Sequence, residues 1–224
     1  MIGMNRIISI IALSVIGFSP LPAASQGIPR GMVALSQRVY VDTAATSAQR
    51  TAIRRRIAAA EAGVAQHFGA LRAAPMWQVC VTPECDAANR ITSRALTYGP
   101  LLTQISSKAF ADDKTYLHEH VHTQMASALG LQLGGARRLP NWFDEGLATV
   151  ISKSVGYPKN RRADCAAVSK MALPKTRAEF VALSKPKGAG PVYTRSACAV
   201  LHWMDQGRGA PEAWAQLRSG KSLP

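Results

Sequence analysis

The chain has 224 residues, with 27 Lys and Arg against 13 Asp and Glu, and a formal charge of +14 at pH 7. Such a surplus of positive charge favours binding to anionic surfaces. The basic residues are scattered, however, and no basic strand interleaved with aromatic residues, the pattern typical of nucleic-acid binding, is present in the sequence. We therefore expect no nucleic-acid partner and predict a basic surface that could contact an anionic cell envelope.

The first residues have the layout of a secretory signal peptide, predicted to span residues 1–25. Arg6 precedes an apolar run at residues 7–18, and small residues follow, with cleavage predicted after Ala24 or Ser25. An uncleaved anchor is less favoured, because a membrane-spanning helix needs about 20 apolar residues. No later run approaches that length, so we predict an exported protein, periplasmic or secreted, with no transmembrane segment after cleavage.

The rest of the chain, residues 26–224, is predicted to form a single domain. We expect residues 26–37 to be loosely ordered. Alternation and helical periodicity then predict three strands and two helices. These are strands at Arg38–Val41, Met76–Val81 and Leu101–Ser106, a long helix from Thr46 or Ser47 that buries Ile53, Ile57, Ala60, Val64 and Phe68, and a short helix around Glu84–Arg90.

The second half of the chain is predicted to be helical. A helix capped by Asp112 or Asp113 should end at Gly130, and a Gly-rich link then leads to an apolar helix. The apolar helix covers Asn141–Val150; weak helical character follows at 162–172, then helices from the capping box Thr176–Glu179 to Leu183, from Tyr193 to Gln206, and between Pro211 and Gly220. The elements predict an α+β fold, a small β-sheet packed on a mainly helical domain.

Four cysteines in an exported chain indicate two disulfides, and four cysteines allow three pairings. Proximity in sequence favours Cys80–Cys85, which leaves Cys165–Cys198. A cysteine metal site is the less favoured alternative, because no Cys-x-x-Cys pair is present.

The segment His118-Glu119-His120-Val121-His122 contains a His-Glu-x-x-His motif. On a helix, His118 and His122 lie on one face and can bind one metal ion, with Glu119 placed to act on a water molecule. On a strand, His118, His120 and His122 would instead form an all-histidine triad. The flanking caps favour the helix, on which His120 points away from the ligands and either lines the cleft or is solvated.

A catalytic zinc site needs a third protein ligand besides the two histidines. Glu145 is the best candidate, because it lies in an otherwise apolar helix where an unpaired carboxylate would be costly to bury. Gly146 would let the backbones of the histidine helix and of the helix carrying Glu145 approach closely. Asp144 or Thr149 could orient a ligand histidine as a hydrogen-bond acceptor.

These residues also carry a family resemblance. His118-Glu119-x-x-His122 followed by Trp142-x-x-Glu145-Gly146-x-Ala148 resembles the gluzincin metallopeptidases, the thermolysin- and aminopeptidase-like group. The resemblance implies a zincin-like catalytic domain, Zn²⁺ held by His118, His122 and Glu145, and Glu119 as general base. It further implies that Tyr193, before the later apolar helix, donates a hydrogen bond to the oxyanion.

The function implied is an exported zinc metallopeptidase that acts on peptides or proteins. The aminopeptidase segment Gly-x-Met-Glu-Asn is not found in the sequence, which favours cleavage within a chain over removal of terminal residues. Two other functions remain open: a non-catalytic, basic, zinc-containing scaffold of the cell envelope, and an amidase acting on cell-wall peptide.

Overall fold

The computed structural model of the chain describes residues 28–130, 138–186 and 188–224. Within these ranges the protein has the predicted α+β fold, built from a five-stranded sheet and eight helices. The predicted signal peptide at residues 1–25 and most of the Gly-rich link after Gly130 lie outside the described residues. None of the described helices is long and apolar enough to cross a membrane.

The sheet is mixed and runs in the order β1-β2-β3-β5-β4. Its strands are β1 (Met32–Ser36), β2 (Val39–Asp42), β3 (Met76–Val79), β4 (Ala95–Tyr98) and β5 (Leu102–Ile105). The central strands β2, β3 and β5 are parallel, whereas β1 and β4 pair antiparallel at the two edges.

Two edge strands were not predicted from the sequence. Residues 26–37, expected to be loosely ordered, contain β1, and residues 95–98 form β4. Both strands alternate between exposed and half-buried positions, so neither has the run of buried β-branched residues by which a strand is recognised. They form because a neighbouring strand offers its backbone hydrogen bonds.

The helices are α1 (Ser47–Phe68), α2 (Pro83–Ala88), α3 (Asp113–Leu129), α4 (Asn141–Ser152), α5 (Arg161–Val168), α6 (Arg177–Ser184), α7 (Gly190–Met204) and α8 (Ala210–Arg218). Most predicted helices are confirmed within a few residues. Thr46 caps α1 with a reciprocal capping box, and all five residues predicted to be buried on α1 are buried. The helix α7 begins three residues before Tyr193, at Gly190, because Pro191 is accommodated in its first turn.

Two apolar cores meet along α1 and α3. One lies under the sheet and includes Ile53, Trp77 and Tyr116, and the other lies between the helices and includes Val121, Phe143 and Trp203. Tyr116 and Val121 both belong to α3, so this helix has the sheet on one side and the helical core on the other. Trp142, three residues before Glu145, is buried in the helical core.

The helices α4 and α7 pack closely at Gly146. A Cβ atom at this position would lie 2.5 Å from the backbone oxygen of Ser196 in α7, closer than any side chain allows. The close approach at this glycine therefore joins α4 to α7, whereas the sequence predicts it between α4 and the helix of His118 and His122. It fixes α4, which carries Glu145, against the helix that carries Tyr193.

Both favoured disulfides form. Cys80 is bonded to Cys85 at the start of α2, and Cys165 of α5 is bonded to Cys198 of α7. Two disulfides are consistent with an exported protein, because such bonds persist mainly in oxidising compartments.

Candidate metal centre

The helix α3 presents His118 and His122 on one face. Asp112 caps the helix by accepting a hydrogen bond from the Lys114 backbone, as the sequence predicts. The two histidines are four positions apart in sequence. Their rings therefore lie one helical turn apart, with centroids 4.8 Å from each other.

Glu145 of α4 meets these two rings. Its Oε2 atom lies 3.4 Å from His118 Nε2 and 3.5 Å from His122 Nε2. One ligand atom from each of the three residues lies within 4.8 Å of the others, an arrangement that could hold a metal ion. His118 and Glu145 are buried, with 8% and 6% of their surface exposed.

The outer nitrogen of each histidine lies close to an oxygen atom. His122 Nδ1 lies 2.9 Å from Asp144 Oδ2, and His118 Nδ1 lies 3.1 Å from Ser154 Oγ. When each Nδ1 carries the proton, each Nε2 lone pair points toward Glu145, the orientation a metal ligand needs. Of the two acceptors considered from sequence, Asp144 contacts a histidine, whereas the buried hydroxyl of Thr149 has no hydrogen-bond partner among the described residues.

Ser154 owes its position to a tight loop after α4. Gly156 in this loop has φ +88°, and a Cβ atom there would lie 2.3 Å from the Cβ atom of Tyr193. The loop therefore packs directly on the start of α7, because glycine tolerates both the left-handed backbone and the contact.

The electrostatics of the site favour a positive charge between the ligands. Burial opposes ionisation of Glu145, but the charge of His122 and hydrogen bonds from both histidines outweigh burial and hold the pKa of Glu145 well below its ordinary value. Burial likewise opposes the charged form of His122, yet Asp144 and Glu145 raise the pKa of His122 well above its ordinary value. A bound cation would supply the charge that these carboxylates stabilise.

Glu119 lines the same cavity as the three candidate ligands and is 9% exposed. Its Oε2 atom accepts a hydrogen bond of 2.8 Å from Thr97 Oγ1, which also lies 3.1 Å from the Glu119 backbone oxygen. Thr97 lies on the edge strand β4, so this strand fixes the Glu119 carboxylate at the cavity wall.

Tyr193, at the start of α7, also lines the cavity. Its ring centroid lies 6.0 Å from that of His118 and 4.9 Å from that of Phe180. Burial and the nearby Glu145 carboxylate raise the pKa of Tyr193 above its ordinary value, so the hydroxyl keeps its proton and can donate it in a hydrogen bond. Arg177 lines the same cavity, and its Nη1 donates to Glu145 Oε1 at 3.2 Å.

The expectation that His120 lines the cleft or is solvated is wrong. His120 is fully buried against the sheet, with its ring centroid 5.5 Å from that of Trp77. Burial, with a smaller contribution from Arg38, lowers the pKa of His120 to about 4. The all-histidine triad is also excluded, because α3 is a helix and its third histidine points into the sheet-side core.

Three residues at the site were missed by sequence reasoning: Thr97, Ser154 and Arg177. Each approaches from an element distant in sequence from the residue it contacts, and threonine, serine and arginine are too common to stand out. Asp144, adjacent to Glu145, was the only orienting residue with a local signal.

The cavity that joins these residues has a volume of about 710 Å³. Besides the candidate ligands, its walls include β4 and the segment Lys175–Arg177. Comparisons of the chain with known protein families, curated proteins and solved structures find no match.

Proposed function

We propose that this protein is an exported zinc-dependent metallopeptidase of gluzincin type, which cleaves peptide bonds within a chain. One observation carries the proposal: His118, His122 and Glu145 converge on one point in a cavity that also contains Glu119. The sheet and the two consecutive helices α3 and α4 support the zincin-like fold that the two sequence motifs imply.

The three candidate ligands fit zinc. Two imidazole nitrogens and one carboxylate oxygen are a donor set of catalytic zinc sites, in which water occupies the fourth position. Ligands bonded tetrahedrally to zinc at about 2.0–2.1 Å lie roughly 3.4 Å apart. The separations of 3.4 and 3.5 Å between Glu145 Oε2 and the two Nε2 atoms agree with this value.

The metal would act as a Lewis acid and lower the pKa of water from 15.7 toward about 7. Glu119 would then accept the proton on its carboxylate and pass it to the nitrogen that leaves. Its hydrogen bond from Thr97 suits this role, because the carboxylate is held in one orientation at the cavity wall while a second oxygen remains available.

The Tyr193 hydroxyl would stabilise the oxyanion that develops on the attacked carbonyl. Its proton is retained because burial and Glu145 raise the pKa of this phenol. Arg177 donates to Glu145 Oε1 and so restrains the third candidate ligand in the cavity that Tyr193 also lines.

The edge strand β4 supports a peptide as the substrate. The strand lines the cavity, and no further strand pairs with its outer side within the described ranges. An extended peptide can add to such an edge through backbone hydrogen bonds. The carbonyl groups of the added peptide would then lie near Glu119, because Thr97 of β4 contacts the Glu119 carboxylate.

Metal content and turnover together test the proposal. Purified protein should hold one zinc per chain and cleave casein or a peptide library. Glu119→Gln should keep the zinc and lose about 10²–10⁴-fold in kcat, the contribution of general-base catalysis. Glu84→Gln, an exposed glutamate outside the cavity, is the matched control and should retain full activity.

The alternatives from the sequence are separate outcomes of this test. Zinc without turnover on any substrate, and a Glu119→Gln variant that behaves as wild type, would indicate a scaffold of the cell envelope. Cleavage of cell-wall peptide but not of casein would indicate an amidase. Protein that takes up no zinc when it is supplied would refute all three.

A further inference from the structure

Two cations, Lys175 and Arg177, line the wall of the metal cavity. Both residues are exposed, so their charges reach the space that a substrate would occupy. Arg177 contacts Glu145 and stacks over the Phe180 ring, with 5.4 Å between its guanidinium carbon and the ring centroid. Lys175 makes no side-chain hydrogen bond or ion pair within the part of the chain that the structure describes.

The backbone of this cationic wall is rigidly attached to the site. The Asn141 and Trp142 amides, at the start of α4, donate to the backbone oxygens of Lys175 and Pro174 at 3.0 and 2.8 Å. The Lys175 amide donates to Glu179 Oε2 at 2.6 Å, and the Glu179 amide donates to Thr176 Oγ1 at 3.2 Å. The backbone of this wall is therefore held against the first turns of α4, which carry Glu145.

The charges at the cavity wall leave a positive surplus once a metal is bound. Glu119, Asp144 and Glu145 bring three negative charges, and Lys175 and Arg177 bring two positive ones. A divalent cation would make the sum positive. Asp144 and Glu145 lie against histidines, and Arg177 uses only part of its five N–H donors on Glu145.

We propose that Lys175 and Arg177 form a recognition site for a carboxylate of the substrate, close to the bond that is cut. The inference rests on the proposed peptidase function and narrows its substrates to peptides that present a negative charge at this wall. A guanidinium and an ammonium that line one cavity can bind a carboxylate through charge-assisted hydrogen bonds, whereas they repel cationic groups and gain little from apolar ones.

Such a carboxylate has two sources, an acidic side chain or the free C-terminus of the peptide. A set of four fluorescent peptides separates them: one with Glu near the centre and a C-terminal amide, one with Gln and a free C-terminus, one with both carboxylates and one with neither. Binding is measured by anisotropy to zinc-loaded Glu119→Gln, so the readout does not depend on turnover.

We expect the neutral peptide to bind at least about tenfold more weakly than the best carboxylate peptide, a ratio that higher salt should reduce. Of the two peptides with a single carboxylate, the one that binds more tightly carries the carboxylate that the site recognises. Lys175→Ala should lower the ratio about threefold to fivefold, as for a partly exposed ion pair. Lys170→Ala removes a positive charge outside the cavity and should leave it unchanged.

Arg177→Gln should abolish most of the remaining preference, and its zinc content is measured beside wild type because Arg177 contacts the candidate ligand Glu145. Equal binding of all four peptides would overturn the inference, as would a preference that survives both substitutions, since the metal alone would then bind the carboxylate. Failure of the proposed function would give a different result. The wild-type protein would then bind zinc but cleave neither the four peptides nor casein.

Discussion

Three histidines of α3 lie within five residues of one another in two different environments. His118 and His122 face Glu145, and the outer nitrogen of each ring lies within 3.1 Å of an oxygen atom. His120 faces the sheet, is fully buried beside Trp77, and neither of its ring nitrogens has a hydrogen-bond partner among the described residues.

The comparison of these three histidines shows that burial alone does not identify a candidate metal ligand. All three rings are largely removed from water, so burial alone would not distinguish them. What distinguishes His118 and His122 is a carboxylate in front of the ring and an oxygen behind it, the arrangement that orients a metal ligand. His120 has neither, and its lowered pKa of about 4 keeps it neutral, as expected for a core residue.

Replacing His122 should give the largest effect, because it removes one of three candidate ligands. His122→Leu should lose stoichiometric zinc after dialysis, and activity should fall at least about 10³-fold, since Lewis-acid stabilisation is worth several kcal/mol. Zinc should also cease to raise the melting temperature, whereas a ligand at 100 times its Kd stabilises the wild-type fold by about 2.7 kcal/mol. The measurements are metal analysis and thermal unfolding with zinc or EDTA.

The matched control for this substitution is His202→Leu, which replaces an exposed histidine on α7. It should retain zinc and the zinc-dependent rise in melting temperature. If His122→Leu keeps one zinc per chain with unchanged affinity, His122 is not a ligand and the two environments on α3 do not differ in function.

Removing the oxygen atoms beside the outer nitrogens of His118 and His122 should have smaller effects on zinc binding. Asp144→Ala removes the acceptor 2.9 Å from His122 Nδ1 and should weaken zinc binding about 10–100-fold. Ser154→Ala removes a neutral hydroxyl from His118 and should weaken it less, because a carboxylate is the stronger acceptor for a ligand imidazole. Competition with a chelator of known affinity measures both, and a larger loss in Ser154→Ala would contradict the assignment.

Local patterns in the sequence were sufficient to predict α3, α4 and the meeting of His118, His122 and Glu145. The caps, the spacing of four residues and a lone carboxylate in an apolar helix are all determined by neighbours along the chain. The disulfide Cys80–Cys85 belongs to the same class, since five residues separate its cysteines.

Contacts between distant segments were not predictable in this way. Thr97 reaches Glu119 only because β4 pairs with β5, and the β4 residues Ala-Leu-Thr-Tyr show no alternation of apolar and polar side chains. Likewise, the burial of His120 depends on the sheet being placed against α3, which no pattern within α3 encodes. The sequence motif was therefore sufficient to predict the side of α3 that carries the candidate ligands. The environment of the opposite side depends on tertiary packing.

Replacing His120 should have the smallest effect and is the most direct test of the contrast on α3. His120→Leu substitutes an apolar side chain of similar size in a buried position, and it removes two nitrogens that have no partner in the described structure. Because an unsatisfied buried polar group costs about 1–3 kcal/mol, we expect the free energy of unfolding to rise by about 1 kcal/mol, measured by urea denaturation in EDTA. Zinc affinity should equal that of wild type. A variant that folds but loses zinc would show that His120 acts on the metal site, and the separation between the two sides of α3 would be refuted.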